Sequence, residues 1–168
     1  MNLDLEKGLV CRRSLESIET GYSARKIGNG NQMMSEPKTT IRLLIVDDHR
    51  VVRADLRMLI STEQGLEIVG EASDGIEAID LAESLRPDVV LLDLVMPRQD
   101  GISTIKQLQN LDSDIKILVI TSFAEDDKIF PAIKAGALGY LLKDFEPDEL
   151  LKAIRDVYNG TPALQPSI

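Results

Sequence analysis

The stretch IRLLIVDDHRVV, residues 41–52, gives the clearest indication of the fold class of this chain. Its apolar run ends abruptly on Asp47 and Asp48, which is typical of a short buried strand whose last residues leave the core. A helical spacing of apolar residues follows at Val52, Leu56, Leu59 and Ile60. The stretch therefore predicts a strand followed directly by a helix, with two acids at the junction.

The same unit recurs along the chain. Further strand candidates are LEIVGEA (66–72), VVLLD (89–93), IKILVIT (115–121) and ALGYLLK (137–143). Each is followed by apolar residues at helical spacing, and Pro147 fits the first turn of the last helix. Five strands alternating with five helices predict an α/β fold, a doubly wound parallel sheet covered on both faces. In such sheets the functional site lies at the carboxyl ends of the strands.

Composition restricts the class of protein. The chain has 168 residues, 43% of them hydrophobic, and a net charge of −9. This is enough apolar material for one domain with a core, and the acidity argues against nucleic-acid binding by these residues themselves. The sequence contains no apolar run long enough to span a membrane and no secretory signal, and Cys11 is its only cysteine. We therefore expect a cytoplasmic protein without an internal disulfide.

Charge divides the chain into unequal parts. Residues 1–40 carry six basic and five acidic residues, whereas residues 41–168 carry 13 basic and 23 acidic ones. We interpret residues 1–40 as an N-terminal extension that is either flexible or a mis-assigned start, because Met33-Met34 directly precede the domain. The domain itself is predicted over residues 41–160, and residues 161–168 are interpreted as the start of a linker to a missing C-terminal domain.

Polar residues stand at the ends of four predicted strands. They are Asp47, Asp48, Asp93, Thr121 and Lys143. A single aspartate in such a place is commonly a helix N-cap, a lysine there a solvated strand end, and a threonine there an ordinary strand former. Three carboxylates, a hydroxyl and an ammonium at equivalent strand ends are better explained by one shared pocket.

Crowded carboxylates repel one another unless a cation neutralises them. A hard divalent ion with oxygen ligands, most naturally Mg²⁺, suits this set and also coordinates phosphate oxygens. One carboxylate can then serve as the nucleophile in phosphoryl transfer, with an ammonium and a hydroxyl stabilising the transferred oxygens. The residue types therefore indicate an aspartyl phosphate site.

Four segments carry a family resemblance: VDDHRVVRADLRMLI, VVLLDLVMPRQDGI, ITS and AGALGYLLKD. Together they resemble the receiver domains of two-component response regulators over about residues 41–160. DDHRVVR, GYLLKD and ELLKAIRDVYNG resemble in particular the LuxR/NarL-type subfamily, whose output is a helix-turn-helix domain. The resemblance implies a (βα)5 flavodoxin-like fold with strand order 2-1-3-4-5.

The resemblance also implies a role for each matching residue. Asp93 would be the phosphoacceptor. Asp48 would ligate Mg²⁺, or another divalent cation, directly, whereas Asp47 would act mainly through ordered water. The backbone carbonyl of Val95 would complete the protein ligands. The remaining implied roles are those of Thr121, which would hydrogen-bond the phosphoryl group, Lys143, which would pair with it, and Tyr140, which would follow Thr121 as a switch.

The implied function is a phosphorylation-dependent signalling switch, transcriptional in its output. A sensor histidine kinase would supply the phosphoryl group, and phosphorylation would favour a homodimer. DNA would be bound only through a C-terminal domain absent from this chain, and no membrane would be involved. The domain is not expected to be an enzyme beyond catalysing its own phosphorylation and dephosphorylation.

Three alternatives share parts of this pattern. A pseudo-receiver that binds partners without phosphorylation predicts the loss of a key acid or of the lysine, yet all are present. A phosphohydrolase of the haloacid dehalogenase type requires D-x-D-x-T/V after the first strand, and DDHRV does not fit. A flavodoxin-like FMN binder requires a phosphate loop and aromatic residues, whereas the chain has three Phe, three Tyr and no Trp. The pattern favours a phosphorylatable receiver.

Overall fold

The computed structural model describes residues 40–122 and 126–166, with the backbone alone for Asp126. The strands are β1 Ile41–Val46, β2 Leu66–Ala72, β3 Val89–Leu92, β4 Lys116–Thr121, β5 Gly139–Leu142 and β6 Ala163–Leu164. The helices are α1 Arg50–Ser61, α2 Gly75–Leu85, α3 Gly101–Leu111, α4 Asp126–Ala135 and α5 Pro147–Tyr158. All five predicted strands and helices are therefore confirmed, with strand ends within about two residues of the prediction.

The strands form one parallel sheet in the order β2-β1-β3-β4-β5-β6. The predicted order 2-1-3-4-5 is confirmed within it. β3 lies between β1 and β4, and none of its four residues is accessible to solvent. Because it is enclosed by neighbours and by helices, it is apolar at every position instead of alternating.

Helices cover both faces of the sheet. One core cluster packs α2, α3 and α4 against the sheet, and a second packs α1 and α5 against the opposite face. The sheet is therefore doubly wound, as predicted. Because all the strands are parallel, the residues that follow them emerge at the same edge of the sheet.

Two helices, α2 and α3, begin at aspartate N-caps. The Asp74 side chain accepts hydrogen bonds from the backbone amides of Ile76 and Glu77, at 2.9 and 3.1 Å, and opens α2. The Asp100 side chain accepts from the amide of Ser103 at 2.9 Å and opens α3. Both caps satisfy amides that have no partner within their helix.

A sixth strand, which the sequence pattern does not predict, lies within the segment interpreted as a linker. Ala163–Leu164 pairs with β5 at the edge of the sheet. Beyond it, the Gln165 side-chain oxygen accepts from the Leu142 amide at 2.9 Å, and the Gln165 amide donates to the Tyr140 carbonyl at 3.3 Å. The chain therefore stays attached to the sheet as far as Gln165, and the interpretation of residues 161–168 as a linker start stays a prediction.

The proposed N-terminal extension and the alternative start at Met33-Met34 lie outside the described residues. Among the helices that are described, none has the length and apolar character needed to cross a bilayer.

Candidate functional site

Three carboxylates meet where β1 and β3 end. Asp47 and Asp48 follow β1, Asp93 follows β3, and these two strands are neighbours in the sheet. One side-chain oxygen of each, together with a ring nitrogen of His49, forms a group whose atoms all lie within 4.8 Å of one another. Asp47 and Asp93 are buried, with only 2% and 4% of their surfaces exposed. The predicted convergence of the strand-end acids is therefore what the structure shows.

Lys143 joins this group from the end of β5. Its Nζ lies 2.7 Å from Asp47 Oδ2 and 2.7 Å from Asp93 Oδ2, and its side chain is 16% exposed. Burial alone would lower the pKa of Lys143, but hydrogen bonds to Asp47 and Asp93 outweigh this effect and raise it. The ammonium is therefore charged at neutral pH and spans two buried carboxylates.

His49, the only histidine of the chain, directly follows the two acids that end β1. Its backbone amide donates to Asp47 Oδ1 at 2.7 Å, and its Nδ1 lies 2.9 Å from Asp48 Oδ1 and 3.3 Å from Asp47 Oδ1. The ring is largely exposed, as expected for a residue that precedes α1. Only the turn between β1 and α1 creates these contacts, so residue spacing could not indicate them.

The donor set fits a hard divalent cation. Carboxylate oxygens from three residues face one another at the mouth of the sheet. The Asp48 Oδ1 atom is inaccessible to solvent and, among the described residues, accepts no hydrogen bond of acceptable geometry. The Nδ1 atom of His49 lies 2.9 Å from it. A buried carboxylate oxygen in this position is one that a bound cation would satisfy.

Thr121 and Tyr140 lie behind the charged group. Thr121 ends β4 and is fully buried, and its carbonyl accepts from the Lys143 amide at 2.8 Å. Tyr140 is fully buried in the core cluster beneath α2, α3 and α4. Because Thr121 pairs with Leu142, two residues beyond Tyr140, the two side chains project from the same face of the sheet. This placement agrees with a switch pair, and that role stays a prediction.

The loop from Asp93 to α3 borders the site. The Val95 amide donates to Asp93 Oδ1 at 3.2 Å, so the structure places Val95 beside the acid through its amide. The use of the Val95 carbonyl as a metal ligand stays a prediction. At the far end of the loop, the Gly101 amide donates to the Leu94 carbonyl at 3.0 Å. A Cβ at Gly101 would lie 2.5 Å from Leu94 Cα, so only glycine allows this close approach.

Comparison with known proteins agrees with this geometry. The family model described as the response regulator receiver domain matches residues 43–155. The transcriptional regulatory protein LiaR of Bacillus subtilis is 48% identical over 128 residues, which are 76% of this chain and 61% of LiaR. The nitrate/nitrite response regulator protein NarL of Escherichia coli is 41% identical over 133 residues, 79% of this chain and 60% of NarL. The chain thus spans about 60% of the length of these relatives.

Solved structures give the same result. A LuxR-family two-component response regulator from Aurantimonas sp. SI85-9A1 superposes with a TM-score of 0.74 and 36% identity, covering 77% of this chain and 92% of that one. The signal receiver domain of the putative response regulator NarL from Mycobacterium tuberculosis superposes with a TM-score of 0.69 and 33% identity, covering 72% and 98%.

Proposed function

The chain belongs to the response regulator receiver family, in its NarL/LuxR-type branch, and from this we propose that Asp93 carries the phosphoryl group of a signalling switch. One observation supports this assignment above the others. Asp93 follows the central strand β3, so it lies between the acids that follow β1 and Thr121 of β4, and its two oxygens contact Lys143 and the Val95 amide. The Asp93 carboxylate is therefore contacted from two sides at the carboxyl ends of the strands.

The proposed reaction is a phosphoryl transfer between side chains. One Asp93 carboxylate oxygen attacks the phosphorus atom of a phosphohistidine on a sensor histidine kinase. An O–P bond forms and the P–N bond breaks, and its electron pair returns to the imidazole, which takes a proton from solvent. Lys143 stands 2.7 Å from the accepting carboxylate, where its ammonium can stabilise the transferred oxygens. Thr121 would donate its hydroxyl to the same group.

Asp47, Asp48 and Asp93 are the residues that would hold Mg²⁺ or another divalent cation, with the Val95 carbonyl as a further ligand. When bound, the cation supplies positive charge against the phosphoryl oxygens and neutralises the acids. The chain's own residues provide the remaining charge and the geometry of the site. Lys143 places one positive charge between two acids, and the buried strands fix the distance between them.

The outcome of phosphorylation would be a change in the conformation of the domain. The domain would catalyse its own phosphorylation and dephosphorylation and would release no metabolite. Phosphorylation would draw Thr121 towards the phosphoryl group, bias Tyr140 and favour a homodimer. LiaR is a transcriptional regulatory protein, and by analogy we propose that DNA is bound through a C-terminal region beyond these residues, in the cytoplasm.

Intact mass tests the proposal. The protein is incubated with acetyl phosphate in the presence and absence of Mg²⁺, beside Asp93→Asn and the matched control Asp114→Asn, which changes an exposed aspartate. We expect one added phosphoryl group in the wild type and in Asp114→Asn, only with Mg²⁺, and none in Asp93→Asn. A folded protein that gains no mass while another receiver does so in parallel would instead support the pseudo-receiver alternative.

A further inference from the structure

An unusual backbone conformation stands in the loop after Asp93. Arg98 has a φ of 68°, in the left-handed region. Adopting this region costs a residue with a Cβ about 1–2 kcal/mol. Arg86 also has positive φ, but it ends α2, where this conformation is common. Arg98 occupies no helix end; it is the central residue of a tight turn in which the Gln99 amide donates to the Pro97 carbonyl at 2.8 Å.

The Arg98 side chain also forms an ion pair with Asp74. The Arg98 guanidinium forms an ion pair with Asp74 Oδ2, a solvent-inaccessible atom that accepts no hydrogen bond of acceptable geometry among the described residues, while Asp74 Oδ1 accepts the amides that open α2. The Asp74 side chain is only 2% exposed, although the Arg98 side chain is 64% exposed. A buried carboxylate has a strong requirement for a partner, so this contact is favoured well above an ordinary surface pair.

The next residue strengthens the connection. Gln99 Nε2 donates to Thr104 Oγ1 at 3.2 Å. A Cβ placed on Gly75 would lie 3.2 Å from both Cβ and Cγ of Gln99, so the loop packs closely on the start of α2. The loop is therefore held at Val95 by Asp93, at Pro97 by the Gln99 amide and at Arg98 by Asp74.

We propose that the Arg98–Asp74 ion pair is a latch that positions the loop of residues 94–99, and with it the Val95 carbonyl, for cation binding beside Asp93. This inference rests on the proposed function, because it assigns Val95 to the cation. Arg98 is then a positioning residue that touches neither the cation nor the phosphoryl group. Breaking the latch lets the loop sample other conformations and weakens the cation site, since groups that orient ligands typically contribute 10–100-fold to metal affinity.

The sign of the effect separates this idea from simple electrostatics. Removing the positive charge of Arg98 would strengthen Mg²⁺ binding if charge alone mattered, because like charges repel. The latch requires the opposite result. Calorimetric titration of Mg²⁺ into Arg98→Ala should therefore show a Kd raised about tenfold. A Kd that is lowered or unchanged overturns the proposal.

Two further variants test the pair itself. Asp74→Asn keeps a good N-cap for α2 and removes the charge that Arg98 meets. It should raise the Mg²⁺ Kd like Arg98→Ala, and the double variant should be no worse than either single one. Arg98→Gly separates the ion pair from the backbone conformation, because glycine adopts positive φ without cost. Wild-type affinity in Arg98→Gly, or additive effects in the double variant, would refute the latch.

Amide hydrogen exchange gives a readout that needs neither cation nor phosphoryl group. In the metal-free protein, Arg98→Ala should speed exchange at Val95 and Gln99 about tenfold, whereas amides of β1 and β3 remain unchanged. Equal exchange at Val95 and Gln99 in both proteins would refute the latch even if phosphorylation proceeds. Conversely, failure of phosphorylation in the wild type with faster exchange in the variant would count against the proposed function and leave the latch standing.

Discussion

Replacement of Lys143 by methionine isolates the charge at the centre of the site. The Lys143 ammonium meets Asp47 Oδ2 and Asp93 Oδ2 at 2.7 Å each, and methionine keeps the length and apolar stem of the side chain. Without the ammonium, two buried carboxylates face one another within 4.8 Å. With an effective dielectric constant near 20, their repulsion amounts to about 3–4 kcal/mol. This agrees with the ~3–5 kcal/mol typical of breaking a buried ion pair.

We therefore expect Lys143→Met to lower the free energy of unfolding by about 3 kcal/mol in metal-free buffer at pH 7, measured by urea titration with circular dichroism. Mg²⁺ should narrow the difference in unfolding free energy between the wild type and the variant. A ligand at 100 times its Kd stabilises a folded protein by about 2.7 kcal/mol, and this gain should be larger in the variant, whose two acids lack the Lys143 charge.

Lys152→Met provides the matched control. Its Nζ also lies 2.7 Å from a carboxylate, that of Asp156, but its side chain is 78% exposed. An exposed pair one helical turn apart contributes only about 0.3–0.5 kcal/mol. Equal losses in the two variants, or a loss at Lys143 that is the same with and without Mg²⁺, would refute the view that this ammonium neutralises the site.

Three further predictions concern the surroundings of the site. Gly101→Ala should cost about 1–3 kcal/mol in urea titration, because its methyl would lie 2.5 Å from the loop backbone; an unchanged midpoint would contradict the observed close approach. Hydrogen bonds from the Ser103 hydroxyl and amide lower the pKa of Asp100, so this cap stabilises above pH 3.8 and its contribution is lost as pH falls through the lowered pKa. The cost of Asp100→Ala, about 1 kcal/mol at pH 7, should therefore shrink in titrations at pH 3, and a constant cost would be evidence against the cap. Gln165→Ala should speed hydrogen exchange at the Leu142 amide, whose acceptor it removes; unchanged exchange there would contradict the side-chain contact.

Apolar runs were the part of the fold that sequence could predict. β1 and β3 are buried on both faces, so their runs are nearly continuous and end sharply on Asp47 and Asp93. β6 could not be predicted because its two residues are too few to show any periodicity. In addition, the Gln165 side chain supplies one of the hydrogen bonds that join this segment to β5. Its existence depends on the edge of β5, which lies far away in the sequence.

The same distinction applies to the site. Parallel strands bring their carboxyl ends to one edge, so the meeting of Asp93 with Asp47 and Lys143 could be predicted once the strands were recognised. The pairing of Lys143 with both acids at once could not, because it depends on side-chain conformations. The Arg98–Asp74 pair links two loops that no pattern connects, and only the folded backbone brings them together.

The attachment of residues 163–165 to β5 has a practical consequence for sensor engineering. A fluorescent protein fused directly after Pro166 would start from a segment hydrogen-bonded to the strand that carries Tyr140 and leads to Lys143. The orientation of the fluorescent protein would then be fixed relative to the sheet edge and not averaged by a flexible linker. Loss of the pairing between β6 and β5 would give the fluorophore independent rotation, so a fall in fluorescence anisotropy would report release of this segment.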